Sequence, residues 1–292
     1  MSANSSGTYD LTGQVAIVTG GSRGIGRALV EALSAAGVAV AVVARSSDAI
    51  QAAVEGISRS GGRAIGITAD VTNGAAVVDM VAQVQSQLGS IDLLINNAAA
   101  ATPLGPAAEV DPDAWWHCQE VNVRGPMLCS RAVLPAMQRR RQGRIVNIVS
   151  MAGVMPLTNM SAYLVSKVAL MRLSELTSLE AKPHGVRVFA VSPGTVRTDM
   201  FAVLTDSPEG EKWTPWARQQ AAAAETPVEW AASLVLSIAA GEADQLSGRV
   251  LNARENFRQV IAQAAEVERD DLYALRIRTL QGAVVSVWDS GA

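Results

Sequence analysis

An apolar run, a glycine-rich turn and an amphipathic helix follow one another over residues 14–37, and that order restricts the fold more than any other feature of the chain. Residues 14–20, QVAIVTG, are apolar, rich in β-branched side chains and stopped by glycine, which predicts a buried strand. GSRGIGRALVEALSAAG then opens a helix in which Ile25, Leu29, Val30 and Leu33 recur at helical spacing, and Gly37 supplies a stop. VAVAVVAR returns to strand. This is the start of a strand–helix–strand unit. The helix N-terminus of such a unit offers free N–H groups and a positive dipole end to a phosphate. Gly20, Gly24 and Gly26, spaced GxxxGxG, leave room for backbone to approach a pyrophosphate and for the helix to pack close on the strand.

Strand-like and helix-like segments keep alternating beyond this unit. Strands are predicted at 15–19, 38–44, 63–68, 91–96, 144–149 and 186–192, with long helices at about 113–139 and 161–182. The alternation predicts an α/β fold, a single Rossmann-type doubly wound parallel sheet with helices on both faces, over residues 12–252. With 292 residues, 49% of them hydrophobic, the chain is long enough for one large core. Residues 1–11 are polar and small and read as a disordered tail. The stretch 196–226 carries Pro208, Gly210, Trp213, Pro215 and Trp216 among polar residues and reads as a lid, its tryptophans either lining a pocket or packing the lid down. Residues 253–292 read as a helical extension, with Val260, Ile261 and Ala264 on one face and Leu272, Leu275 and Leu280 continuing the apolar pattern. It either packs on its own subunit or forms an arm to a neighbour or to the pocket.

The formal net charge is −3, and no basic run exceeds Arg139–Arg140–Arg141, so no nucleic-acid footprint is expected. No apolar stretch reaches membrane-span length and no signal-peptide core opens the chain. Two cysteines, Cys118 and Cys129, imply no disulfide framework and a cytoplasmic setting; eleven residues apart on one helix, they would share a face. No metal site is expected.

The chemistry is carried by SAYLVSKVAL. On a helix, Tyr163 and Lys167 stand at i and i+4, on one face. A free tyrosine titrates near pH 10, and an adjacent ammonium is expected to lower that value toward the working range of a general acid/base. Ser150 offers a hydroxyl to the oxygen that Tyr163 protonates or deprotonates.

TGGSRGIG at 19–26, NNAA at 96–99, VNVRG at 121–125, Ser150, YLVSK at 163–167 and SPGTVRTDM at 192–200 occur in that order, and over roughly residues 12–250 the chain resembles the classical short-chain dehydrogenase/reductase family. The resemblance implies that Tyr163 is the general acid/base, that Ser150 positions the substrate oxygen, that Lys167 binds the nicotinamide ribose, and that Asn122 holds a water linking Lys167 to solvent. It implies cofactor contacts from Gly20, Ser22, Arg23, Gly24, Ile25 and Gly26 in the turn. Further contacts fall to Asp70 and Val71 (with turn capping as the alternative for Asp70), to Asn97 and Ala98, to Pro193 and Gly194, and to Val196 and Thr198. Ala99 stands where the family usually has glycine. Arg45, at the end of the second strand, takes the place of the acidic residue of NAD-preferring members; with Arg23 it points to NADP(H) over NAD(H). The family pattern also implies a homotetramer or dimer through the two long helices, where Ala114, Cys118, Val121, Leu128, Cys129 and Ala132 are small or apolar. Met151, Val154, Met155, Leu157 and Met160 suggest an apolar substrate side. The expected activity is interconversion of a ketone or 3-oxoacyl carbonyl with an alcohol. A cofactor-binding sensor or scaffold, or an epimerase or dehydratase on the same platform, stands as the alternative.

Overall fold

The computed structural model describes residues 9–219 and 225–278. The greater part of the expected tail, part of the lid and residues 279–292, with Leu280, lie outside the described residues.

Seven strands form one parallel sheet in the order β3-β2-β1-β4-β5-β6-β7. They are β1 (Val15–Thr19), β2 (Ala39–Ala44), β3 (Ala64–Thr68), β4 (Leu93–Asn96), β5 (Gly143–Ile148), β6 (Val186–Ser192) and β7 (Val250–Asn252). The helices between them are α1 (Gly24–Ala35), α2 (Ser47–Arg59), α3 (Gly74–Gln87), α4 (Pro112–Gln119), α5 (Gly125–Arg140) and α6 (Ser161–Ala181), with α7 (Asp199–Asp206), α8 (Pro208–Trp213) and a helix over Val228–Ala239 before β7. The doubly wound α/β expectation holds, with strand bounds displaced by one or two residues. β7 was not among the six predicted strands. At three residues it is too short to carry a period of its own and is defined by its pairing, Ser192 opposite Asn252.

Parallel strands buried on both faces explain the unbroken apolar runs. Ala16 and Val18 join α1 and the Val228–Ala239 helix in one core, while Val15 and Ile17 join α3 and α5 in the other. Successive side chains of a strand point to opposite faces, so the four consecutive apolar residues Val15–Val18 serve two cores. Strand order reverses between β1 and β4, which opens a crevice at their C-terminal ends, where ligands bind in sheets of this kind.

The predicted helix at 113–139 is α4 and α5 joined by a π turn over Glu120–Arg124. Pro126 contributes to that irregularity: it has no N–H to return to the Asn122 carbonyl four residues earlier. The wider turn shifts the helical phase, so the cysteines do not share a face. Cys118 faces the loop after β4, donating to the Ala100 carbonyl at 3.4 Å, whereas Cys129 lies in the core under β4 and β5.

Beyond β7 the extension forms short helices at Phe257–Ala262 and Ala264–Arg269 and packs on its own subunit. Phe257, Ala264 and Val267 enter the core beside the Val228–Ala239 helix. Arg276 pairs with Glu175 of α6 at 2.7 Å and with Asp271, and the Tyr273 carbonyl accepts from Val250 of β7 at 2.9 Å.

Candidate active site

The crevice widens into a cavity of about 800 Å³ at the C-terminal ends of the strands. It gathers most of the residues that the sequence singled out. At one end lie Gly20, Ser22, Arg23, Gly24 and Ile25 from the first turn, with Arg45 after β2 and Asp70 and Val71 after β3. Asn97 and Ala98 follow β4 in the middle. At the other end are Ser150, Tyr163 and Lys167, with Pro193, Gly194, Val196 and Thr198 after β6. Gly26 and Asn122 stand behind the wall rather than in it.

The first turn is shaped by backbone. Gly20 has φ +65° and Gly24 φ +54°, in the left-handed region that favours glycine. A Cβ on Gly26 would overlap the Gly20 carbonyl oxygen and come within 2.5 Å of Asn97 Nδ2. Asn97 Nδ2 is itself fixed, donating to the carbonyls of Thr19 and Gly20 at 3.0 and 3.1 Å. Side chains cap α2, α3, α4 and α7, through Ser46, Asn73, Asp111 and Thr198. No side chain caps α1. Its first N–H groups are the orphans that a diphosphate satisfies, so the cradle fits a dinucleotide.

Asp70 Oδ1 accepts from the N–H and hydroxyl of Thr72 at 2.8 and 2.7 Å, which holds its carboxyl below the usual range. Turn capping and a place in the cavity wall therefore coexist. Arg23 is paired with Asp199 at 3.0 Å, both side chains well exposed, while the exposed Arg45 has no hydrogen bond or ion pair among the described residues.

At the other end, α6 starts beneath the cavity and brings Tyr163 and Lys167 to one face, as their spacing predicts. Lys167 is 2% exposed; its Nζ donates to the Ile148 carbonyl at 2.9 Å and lies 5.5 Å from the centre of the Tyr163 ring. Burial pulls its pKa down to about 8. Burial also pushes the Tyr163 phenol up to about 12, although a hydrogen bond with Ser150 works the other way. The lysine was expected to lower the tyrosine. In this pocket loss of water sets the direction, because the phenolate is the form that burial disfavours, and the Ser150 hydrogen bond only partly offsets it. The Ser150 hydroxyl accepts from Ala152 N–H at 3.2 Å, which fixes its oxygen at the end of β5.

Asn122 is fully buried and its carboxamide is saturated. Oδ1 accepts from Ala100 N–H at 2.7 Å, and Nδ2 donates to the Ala100 carbonyl and to Ser166 Oγ, both at 2.8 Å. Ser166 in turn donates to the Tyr163 carbonyl at 2.6 Å. This junction joins the loop after β4, the π turn and α6. Sequence reasoning passed over Ser166, whose only signal was its place beside Lys167.

Met151, Met155, Leu157 and Met160 line the substrate side, but Val154 does not and is about half exposed. The two tryptophans of the 196–226 stretch divide the roles: Trp216 lines the cavity, and Trp213 packs beside it with its carbonyl accepting from Asn159 at 3.0 Å. Asn252 and Arg254, just past β7, complete the wall and were not anticipated.

Known proteins resemble this chain in sequence and fold. Residues 14–209 match the family profile described as short chain dehydrogenase. A short chain dehydrogenase of Pseudocercospora fijiensis is 34% identical over 285 residues, covering 92% of this chain and 91% of that protein. A 3-oxoacyl-[acyl-carrier-protein] reductase of Synechocystis is 37% identical, covering 68% and 80%. Among solved structures, a short-chain type dehydrogenase/reductase from Mycobacterium marinum superposes with a TM-score of 0.76 at 31% identity, covering 84% of this chain and 95% of that one. An NAD(P) dependent gluconate 5-dehydrogenase from Beutenbergia cavernae, described with bound NADP, gives 0.76 at 29% identity, covering 85% and 97%. With its parallel sheet, its glycine cradle and Tyr163 and Lys167 at one cavity, the chain belongs to the short-chain dehydrogenase/reductase family of NAD(P)-dependent oxidoreductases.

Proposed function

We propose that the protein is an NADP(H)-dependent oxidoreductase that interconverts a ketone or 3-oxoacyl carbonyl with an alcohol through Ser150, Tyr163, Lys167 and Asn122. The observation that carries this reading is the Lys167 ammonium, fixed by the Ile148 carbonyl beside the Tyr163 ring in the cavity wall. When bound, the reduced nicotinamide supplies the hydride. Ser150 donates a hydrogen bond to the developing oxyanion, and Tyr163 Oη gives it a proton. A phenol raised to about 12 stays protonated at neutral pH and is suited to donate. Lys167, still largely charged at pH 7, balances the phenolate left behind. Asn122 holds α6 in place through Ser166. Its carbonyl, which Pro126 cannot bond, is the group left to hold the water that reloads Tyr163.

Arg45 favours NADP(H): a guanidinium fork with no hydrogen bond or ion pair among the described residues suits a 2′-phosphate and cannot accept a ribose hydroxyl. Arg23 can join it, since an exposed pair such as Arg23–Asp199 is worth about 0–1 kcal/mol and is readily exchanged. The NADP described in the Beutenbergia structure supports the same choice. Ketone and 3-oxoacyl thioester panels assayed with NADPH and NADH test the reading. Turnover with NADPH preferred is expected; cofactor binding with no turnover of any carbonyl or alcohol would instead indicate a sensor.

The same reading takes the protein to be a cytoplasmic homotetramer. Among the described residues no helix is long and apolar enough to cross a membrane. Cys118 and Cys129, buried in their own subunit, are withdrawn from the interface. Met127 on α5 and Val165, Leu176 and Leu179 on α6 expose apolar area instead. Light scattering at micromolar concentration is expected to report a tetramer, and a monomer would overturn this assignment.

A further inference from the structure

The chain as a whole is acidic, yet Arg23, Arg45, Lys167 and Arg254 line the cavity against the carboxylates of Asp70 and Asp199. Three of these cations are accounted for. Arg23 is paired with Asp199, Lys167 is held by Ile148, and Arg45 stands at the nucleotide end. Arg254 is not. Its side chain is exposed at the cavity wall and has no hydrogen bond or ion pair among the described residues. Glu255, its neighbour in sequence, is turned to Asn252 and Tyr273.

Sheet order fixes where Arg254 acts. β2 and β7 are five strands apart, about 24 Å at the usual strand spacing, so the cation after β7 and the cation after β2 serve different groups. β5, which ends two residues before Ser150, is two strands from β7, about 10 Å. The link to the reacting end is direct. Asn252 pairs with Ser192, and Ser192 Oγ accepts from Met151 N–H, next to Ser150, at 3.2 Å. The same cavity wall carries the apolar side chains of Met151, Met155, Leu157 and Trp216.

We propose that Arg254 is a specificity-determining residue that pairs with a carboxylate on the substrate, several bonds from the reacting carbon and joined to it by an apolar chain. The inference rests on the oxidoreductase reading for its site and adds the substrate class. A planar guanidinium receives a carboxylate through two parallel N–H donors, and the Asn252 amide beside it offers a further polar contact. A 2-oxo acid does not fit, because its carboxylate would lie beside the reacting carbon and leave Arg254 unmatched.

Two measurements test this. In the first, decanoate, 1-decanol and decyl phosphate are titrated calorimetrically onto the full-length protein and its Arg254→Gln and Arg254→Lys variants, with thermal melts as a check of folding. Wild type is expected to bind decanoate about tenfold more tightly than decanol, which is about 1.4 kcal/mol. Arg254→Gln removes that preference and Arg254→Lys keeps part of it. Equal binding of acid and alcohol by wild type overturns the proposal whatever the catalytic assays show. Binding of decyl phosphate without decanoate overturns the carboxylate assignment. In the second, 5-oxodecanoate is compared with its methyl ester in turnover. The kcat/KM ratio is expected to favour the acid in wild type and to collapse in Arg254→Gln. Ester turnover with no acid preference overturns the role of Arg254 while leaving the oxidoreductase reading intact; failure of both ketones to react bears on that reading, and the calorimetry then decides on Arg254.

Discussion

The two ends of the cavity are made of different material. At the β1–α1 end, backbone shapes the surface: glycines in left-handed conformations, uncapped N–H groups of α1 and an Asn97 amide locked on two carbonyls. At the β5–β7 end, side chains shape it: methionines, Leu157 and Trp216, with Ser150, Tyr163 and Lys167 at the floor. A backbone-built surface admits one kind of ligand and tolerates little change, because each added atom meets another main-chain atom. A side-chain-built surface can be altered residue by residue, and methionine fills irregular gaps at small cost. Cofactor recognition therefore tracks sequence motifs, whereas substrate choice tracks packing.

The largest effect expected is at the floor of the side-chain end. Tyr163→Phe should lower turnover by about 10²–10⁴-fold while cofactor titration stays near wild type, the usual worth of a positioned proton donor. A variant keeping more than about a tenth of the rate would remove Tyr163 from that role. The same group sets a pH profile. Reduction should be level below about pH 8 and decline above it as Lys167, whose pKa is held at about 8, loses the charge that supports the phenolate. A rate that rises through pH 8 would separate Lys167 from catalysis.

At the backbone end, Gly26→Ala puts a methyl group on the Gly20 carbonyl. Overpacking against main chain typically costs about 1–3 kcal/mol. Cofactor affinity is expected to fall at least about tenfold, with a lowered melting temperature; an unaffected dissociation constant would show that the cradle yields more easily than its packing indicates. Arg45→Asp should move kcat/KM preference from NADPH toward NADH by about tenfold or more, since it replaces a fork of donors by an acceptor. An unmoved ratio would free Arg45 from the phosphate. The smallest change is expected for Trp216→Ala: a KM altered a few-fold for bulky ketones and an unaltered cofactor dissociation constant. A loss of cofactor binding there would break the division between the two ends.

Much of this was legible in the chain. Local rules determined it: β-branched runs between glycines gave strands, 3.6-residue spacing gave α1 and α6, and an i,i+4 spacing alone put Tyr163 and Lys167 on one face. Such features depend on neighbours within a few residues, so the sequence carries them in full. Other features depend on atoms far apart in the chain. β7 exists because Ser192 pairs with Asn252 across 60 residues. The π turn that sends Cys118 and Cys129 to different surroundings changes the phase of a helix that periodicity reads as continuous through Pro126. The saturation of Asn122 by Ala100 and Ser166 required three elements to meet. The tyrosine shows the same limit in electrostatics. Spacing located the lysine correctly, but the sign of the shift followed from burial, and burial is set by everything packed around the site. The sequence thus determined the glycine turn and the placing of Ser150, Tyr163 and Lys167 at one cavity. Tertiary structure alone decided how much water they lose and, with it, the protonation state in which each begins the reaction.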